Sequence, residues 1–128
     1  MNASRRRELG ATALTMALPV VARLGDTVAA ETESIARGGP TPYEDFSQRK
    51  NQGLLELNRL APMLRRAAPT DALRDALADL NAKLEANREA LRVQLEASIA
   101  VAEIIARAIR DGQSDGTYTA QAWKRLAE

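Results

Sequence analysis

Residues 71–110 read DALRDALADLNAKLEANREALRVQLEASIAVAEIIARAIR, the longest periodic stretch of the chain. Leu73, Leu77, Leu80, Leu84, Asn87, Leu91, Gln94, Ser98, Val101, Ile105 and Ala108 follow one another in alternating steps of four and three. That is a heptad seam, the pattern by which one helix packs along another. Three of its members, Asn87, Gln94 and Ser98, are polar. Around Gln94 and Ser98 the neighbours Leu95, Ile99, Ala102 and Ile109 offer a second phase, as expected when a straight helix drifts against a strict seven-residue repeat. The packed face therefore changes partner along the helix. Thr70 and Asp71 supply the start signal, and Gly112 is expected to close the helix at about residue 111.

The same period extends upstream. Leu14, Val21, Val28 and Ile35 fall seven apart, with Leu18 and Leu24 between them, which predicts a helix over about 8–37. Residues 4–25, SRRRELGATALTMALPVVARLG, also fit a twin-arginine export pattern. However, Glu8, Thr12 and Thr15 interrupt the apolar run, and the stripe continues in phase to Ile35, so a structural helix is the reading adopted. The apolar content of residues 9–24 is too short and too polar to span a bilayer. Arg5, Arg6 and Arg7 are then a solvated, frayed leader, and Pro19 should kink the helix or start it. Gly38, Gly39 and Pro40 stop the segment. Thr41 and Glu44, with Pro42 between them, form the pattern of a capping box for a second helix over about 42–67. Its stripe runs through Phe46, Gly53 or Leu54, Leu57, Leu60 and Leu64, with a bend expected near Pro62.

The fold class that follows is all-α: three long antiparallel helices in a coiled-coil-like bundle, forming one domain over residues 1–111. Residues 112–128 are expected to be a flexible tail with at most a short helix. A chain of 128 residues holds one domain with a modest core. Aromatic residues make up only 3 %, while alanine and leucine dominate, which suits helices packed through aliphatic side chains.

Chemistry is narrowed just as strongly. Cysteine and histidine are absent, which removes disulfides, thiolate nucleophiles, imidazole bases and the usual transition-metal ligands. Glu89, Glu96 and Glu103 line up at heptad spacing but lack the histidines of a di-metal helical site. No phosphate loop or nucleophile elbow occurs. We expect no enzyme, no cofactor and no metal. With 18 basic and 17 acidic residues the net charge is +1, so no strong field selects nucleic acid. Arg65 and Arg66 with the leader arginines could touch phosphates, although no nucleic-acid motif accompanies them.

Short connections make neighbouring helices antiparallel. At about 1.5 Å per residue the second helix covers about 40 Å and the third about 60 Å. Roughly four turns, residues 97–110, are left without that partner, and they are the most continuously apolar part of the helix. Leu95, Ile99, Val101, Ala102, Ile105 and Ile109 are the expected protein-binding residues, with Ile104 among the same apolar run. Either another protein covers this face, or the first helix does, or two copies pair as a homodimer. Tyr118 and Trp123 in the tail are candidate docking anchors, since large amphipathic aromatics bury much area at low conformational cost.

The first helix, YEDFSQRKNQGLLELNRL (residues 43–60), LRDALADLNAKLEANREALRVQLEASIAVAEII (residues 73–105) and SDGTYT (residues 114–119) together resemble the FlgN family of flagellar type III export chaperones, in the divergent form found in alphaproteobacteria. The shared pattern is the long helix with Asn87 and Leu91 at its centre and a Gly and Tyr tail. The resemblance implies a cytoplasmic, non-enzymatic helper without direct membrane insertion. It would bind the C-terminal helical segments of the hook-filament junction proteins FlgK and FlgL and present them to the export gate FlhA, with Tyr118 at the position of the family's gate-docking tyrosine. The Ala, Trp and Lys segment after Tyr118 departs from the family. A self-associating coiled-coil scaffold and an exported helical protein are the competing classes.

Overall fold

The computed structural model describes residues 2–68 and 70–114, with the side chain of Ser114 excepted. The protein is an all-α helical bundle: α1 spans Ala3–Arg37, α2 Tyr43–Arg66 and α3 Asp71–Ser114. Its residues divide into two compact units, Met1–Leu91 and Arg92–Glu128, where the sequence suggested one domain over 1–111.

α1 begins five residues earlier than the apolar stripe indicated. Asn2 caps it: its side-chain oxygen accepts a hydrogen bond from the Arg5 backbone N–H at 2.8 Å. This satisfies one of the four donors that a helix start leaves open. Arg5, Arg6 and Arg7 are thus helical, and the frayed leader is corrected. Pro19 lies inside α1 and does not start it. The helix stops at Gly38 and Gly39, whose φ angles of 76° and 82° strain any residue with a Cβ.

The capping box does not form. Pro42 is the N-cap of α2 and no side chain bonds the first turn; the Thr41 hydroxyl lies 3.2 Å from Ser34 Oγ instead. The hydroxyl that sequence spacing assigned to α2 ties the turn to α1, and Glu44 and Asp45 serve the positive pole of α2. Pro62 also lies inside its helix. At the start of α3 the Thr70 hydroxyl does accept from the Leu73 N–H, at 3.2 Å. α3 then runs through Gly112 to Ser114, past its expected end, so residues 112–114 belong to the helix rather than to a tail.

Within residues 1–91 the pairing is read from cross-helix bonds. Ser34 meets Thr41, Glu31 meets Lys50 and Arg23 meets Glu56, so α1 and α2 are antiparallel. Gly25 lies against Leu80 and Lys83 while Val28 and Glu31 meet Asn87, so α3 returns parallel to α1. Val21, Leu24, Val28 and Leu80 form the core, with Leu57, Ala76 and Leu84 packed on it. A Cβ on Gly53 would stand 3.0 Å from Leu24 Cδ1; the glycine lets α1 and α2 approach closely.

One polar layer crosses this core. Glu31 is 1 % exposed and Asn87 4 %. The Glu31 carboxylate accepts from Lys50 Nζ at 2.7 Å and from Asn87 Nδ2 at 2.9 Å. A buried carboxylate is costly unless paired and hydrogen-bonded, and here α2 and α3 each contribute one donor to it.

α1 is the described helix long and apolar enough to cross a membrane by length and composition, with a mean hydropathy of 1.3 over its best eighteen residues. The sequence reading of residues 9–24 alone understated this. In the bundle, Ala13, Ala17, Val20, Val21, Leu24 and Val28 of that helix are buried.

Candidate functional site

The part of α3 in the second unit carries the site residues named from sequence. Every residue from Arg92 to Asp111 is exposed. Leu95, Ile99, Val101, Ile105 and Ile109 are large exposed hydrophobics, and Ala102 is exposed beside them. Two further members are Val93 and Ile104, the latter the most exposed of all at 63 %. Neither followed from the two heptad phases considered above, but a third set would have placed Ile104: Ala97, Val101, Ile104 and Ala108 again step by four, three and four.

At 3.6 residues per turn, the charged side chains Arg92, Glu96, Glu103, Arg107 and Arg110 fall within an arc of about 60°, which Asp111 at the end of the stretch widens to about 100°. Most of the remaining circumference is aliphatic. Leu95, Ile99, Ala102, Ala106 and Ile109 form one seam; Ala97, Val101, Ile104 and Ala108 form another, on the order of 150° around the helix. Gln94, Ser98 and Ile105 lie between them. Ser98 Oγ donates to the Gln94 carbonyl at 3.0 Å, so its polar atom is satisfied within the helix. Arg92 and Glu96 pair at 2.6 Å on the charged stripe.

The side chains are also stiff. Val93, Ile99, Val101, Ile104, Ile105 and Ile109 are β-branched, and in a helix such residues keep mainly one χ1 rotamer. They lose little side-chain freedom when covered, which removes part of the ordering cost of association.

Elsewhere, a cavity of about 340 Å³ is bounded by Arg23, Thr27, Arg49, Gln52 and Glu56 over Leu24 and Gly53. Its charges are largely paired, Arg23 with Glu56 and Arg49 with Asp45. Among the described residues no group of three or more acidic side chains is placed to hold a metal ion. Glu96 of the acidic line is engaged by Arg92. Tyr118 and Trp123, the docking anchors expected from sequence, lie outside the described residues.

No protein-family model, curated protein or solved structure matches this chain.

Proposed function

We propose that this protein is a cytoplasmic, non-catalytic export chaperone. Its residues 93–109 hold the C-terminal helical segments of the hook-filament junction proteins FlgK and FlgL before passing them to the export gate FlhA. One observation carries the reading: an exposed helix with two aliphatic seams and its charges confined to one narrow stripe. A single helix–helix contact covers one seam. The partner therefore supplies two helices, or a groove that closes on both sides, and its own assembly surface is masked while bound. Apolar burial at about 25 cal/mol per Å² drives the complex, and rotational and ordering losses keep it reversible.

The test is titration of the full-length chain with purified C-terminal segments of FlgK and FlgL, monitored by calorimetry. Saturable binding to at least one of them, lost in Ile105→Asp and weakened separately by Val101→Ser and Ile99→Ser, is the expected result. Loss confined to one seam would leave a single-helix partner.

A second reading is favoured by the unbroken heptad steps from Leu95 to Ile109: a self-associating scaffold in which copies of this helix pair. Light scattering across a concentration series separates the two. A mass that doubles with concentration, and does not in Ile105→Asp, selects the scaffold.

A further inference from the structure

The first unit carries a second feature that the exposed face of α3 does not use. Arg5 and Leu9 of α1, with Arg59, Pro62, Met63 and Arg66 of α2, line a cavity of about 430 Å³. No acidic residue contributes to its wall, and none of the three arginine side chains makes a hydrogen bond or ion pair among the described residues. Elsewhere in the same unit Arg23 pairs with Glu56, Arg37 with Glu33, Arg49 with Asp45 and Arg74 with Asp71, whereas Arg6, Arg65 and Arg88 resemble the cavity arginines in making no side-chain hydrogen bond or ion pair among the described residues.

The position of Arg5 runs against local helix energetics. Arg5, Arg6 and Arg7 occupy the first two turns of α1, where the helix dipole disfavours cations, and the first turn holds no acidic residue to offset them. Arg66, in the last turn of α2, is at the favourable pole and needs no further explanation; Arg5 does. Charges set against the local rule without compensation mark places where sequence serves something besides folding. A guanidinium offers a planar fork of donors that matches phosphate oxygens in pairs. Leu9, Pro62 and Met63 give the same cavity an apolar wall.

We propose that this cavity is a binding site for a phosphate ester bearing an apolar group. Arg5, Arg59 and Arg66 grip the phosphate, and Leu9, Pro62 and Met63 receive the apolar part. The same chemistry is presented by a soluble phosphoester and by the headgroup region of an anionic phospholipid.

The full-length chain is titrated at low salt with inorganic pyrophosphate by calorimetry. In parallel it is sedimented with vesicles of phosphatidylglycerol in phosphatidylcholine, and of phosphatidylcholine alone. Saturable pyrophosphate binding without vesicle binding assigns a soluble ligand, and binding to anionic vesicles assigns the headgroup. In either case Arg59→Ala and Arg5→Ala should each weaken binding by about tenfold, with circular dichroism unchanged because both side chains are exposed. Arg107→Ala removes the same charge outside the cavity and should have no such effect. The proposal is overturned if neither probe binds, if Arg59→Ala and Arg5→Ala bind as the parent does, or if Arg107→Ala weakens binding equally.

Discussion

The two parts of α3 are built from different residues and differ in burial. Residues 71–91 hold no valine or isoleucine; their apolar positions are leucine and alanine, and eight of the twenty-one residues are charged. Leu80 is 6 % exposed, and Asn87 lies buried on the Glu31 carboxylate. Residues 92–114 hold six β-branched residues, and no side chain described there is buried. The first part buries Leu80 and packs Ala76 and Leu84 against the core of its own unit, while Leu77 is 41 % exposed. The second is apolar around most of its circumference and covers none of it. Leucine adapts its rotamer to a permanent core, whereas a β-branched side chain presents a shape that is already set.

Paired substitutions can break this contrast. The largest effect is expected at equivalent apolar positions. Leu80→Asp puts a charge into the core and should cost on the order of 4–5 kcal/mol or more, abolishing the urea-unfolding transition. Ile105→Asp, at a site 56 % exposed, should leave stability within about 0.5 kcal/mol while eliminating partner binding. A comparable loss of stability at both sites would mean that a second copy already covers Ile105 in solution.

Charge pairs come next. Lys50→Met leaves Glu31 buried without its cation and should destabilise by about 3–5 kcal/mol. Arg92→Ala, which removes an exposed partner of Glu96, should change stability by less than about 1 kcal/mol. Denaturant midpoints of the two variants measure the difference directly.

The finest contrast is between two polar members of the same seam. Asn87→Ala takes a donor from the buried carboxylate and should cost about 1–3 kcal/mol. Ser98→Ala removes only a back-bond to the preceding turn and should be neutral or slightly stabilising. Thermal unfolding followed at 222 nm resolves the two if they differ as expected.

Periodicity made the helices legible. The heptad steps of α3, the stop at Gly38 and Gly39 and the Thr70 cap depend on local spacing, which a sequence displays. The exposed stretch after Leu91 was legible for the same reason, because length and apolar content are additive along a helix. What stayed hidden depended on a distant partner. The Thr41 hydroxyl turned to Ser34, a competitor seven residues away that the capping pattern does not contain. Glu31 falls in phase with Leu24 and Val28, so its burial was implied by period alone, but a carboxylate there makes sense only once Lys50 and Asn87 converge on it. Asn2 was masked by the arginines that follow it, since a run of charge reads as solvated chain until the cap is considered. The arginine-lined cavity joins residues about sixty positions apart, and no spacing rule reaches that far.

The Asn87 amide also has a consequence for alignment. Its Nδ2 lies 2.9 Å from Glu31 Oε1, 3.2 Å from Thr32 Oγ1 and 3.5 Å from the Val28 carbonyl. The leucine seam of α3 looks nearly the same after every turn or two, so apolar contact alone would accept several slipped alignments. A slip of three or four residues sets Leu84 or Leu91 against the Glu31 carboxylate, which keeps Lys50 but loses its donor from α3. The polar layer works as a ruler mark on an otherwise repetitive scale, the one place where a helix able to slide recognises its seat.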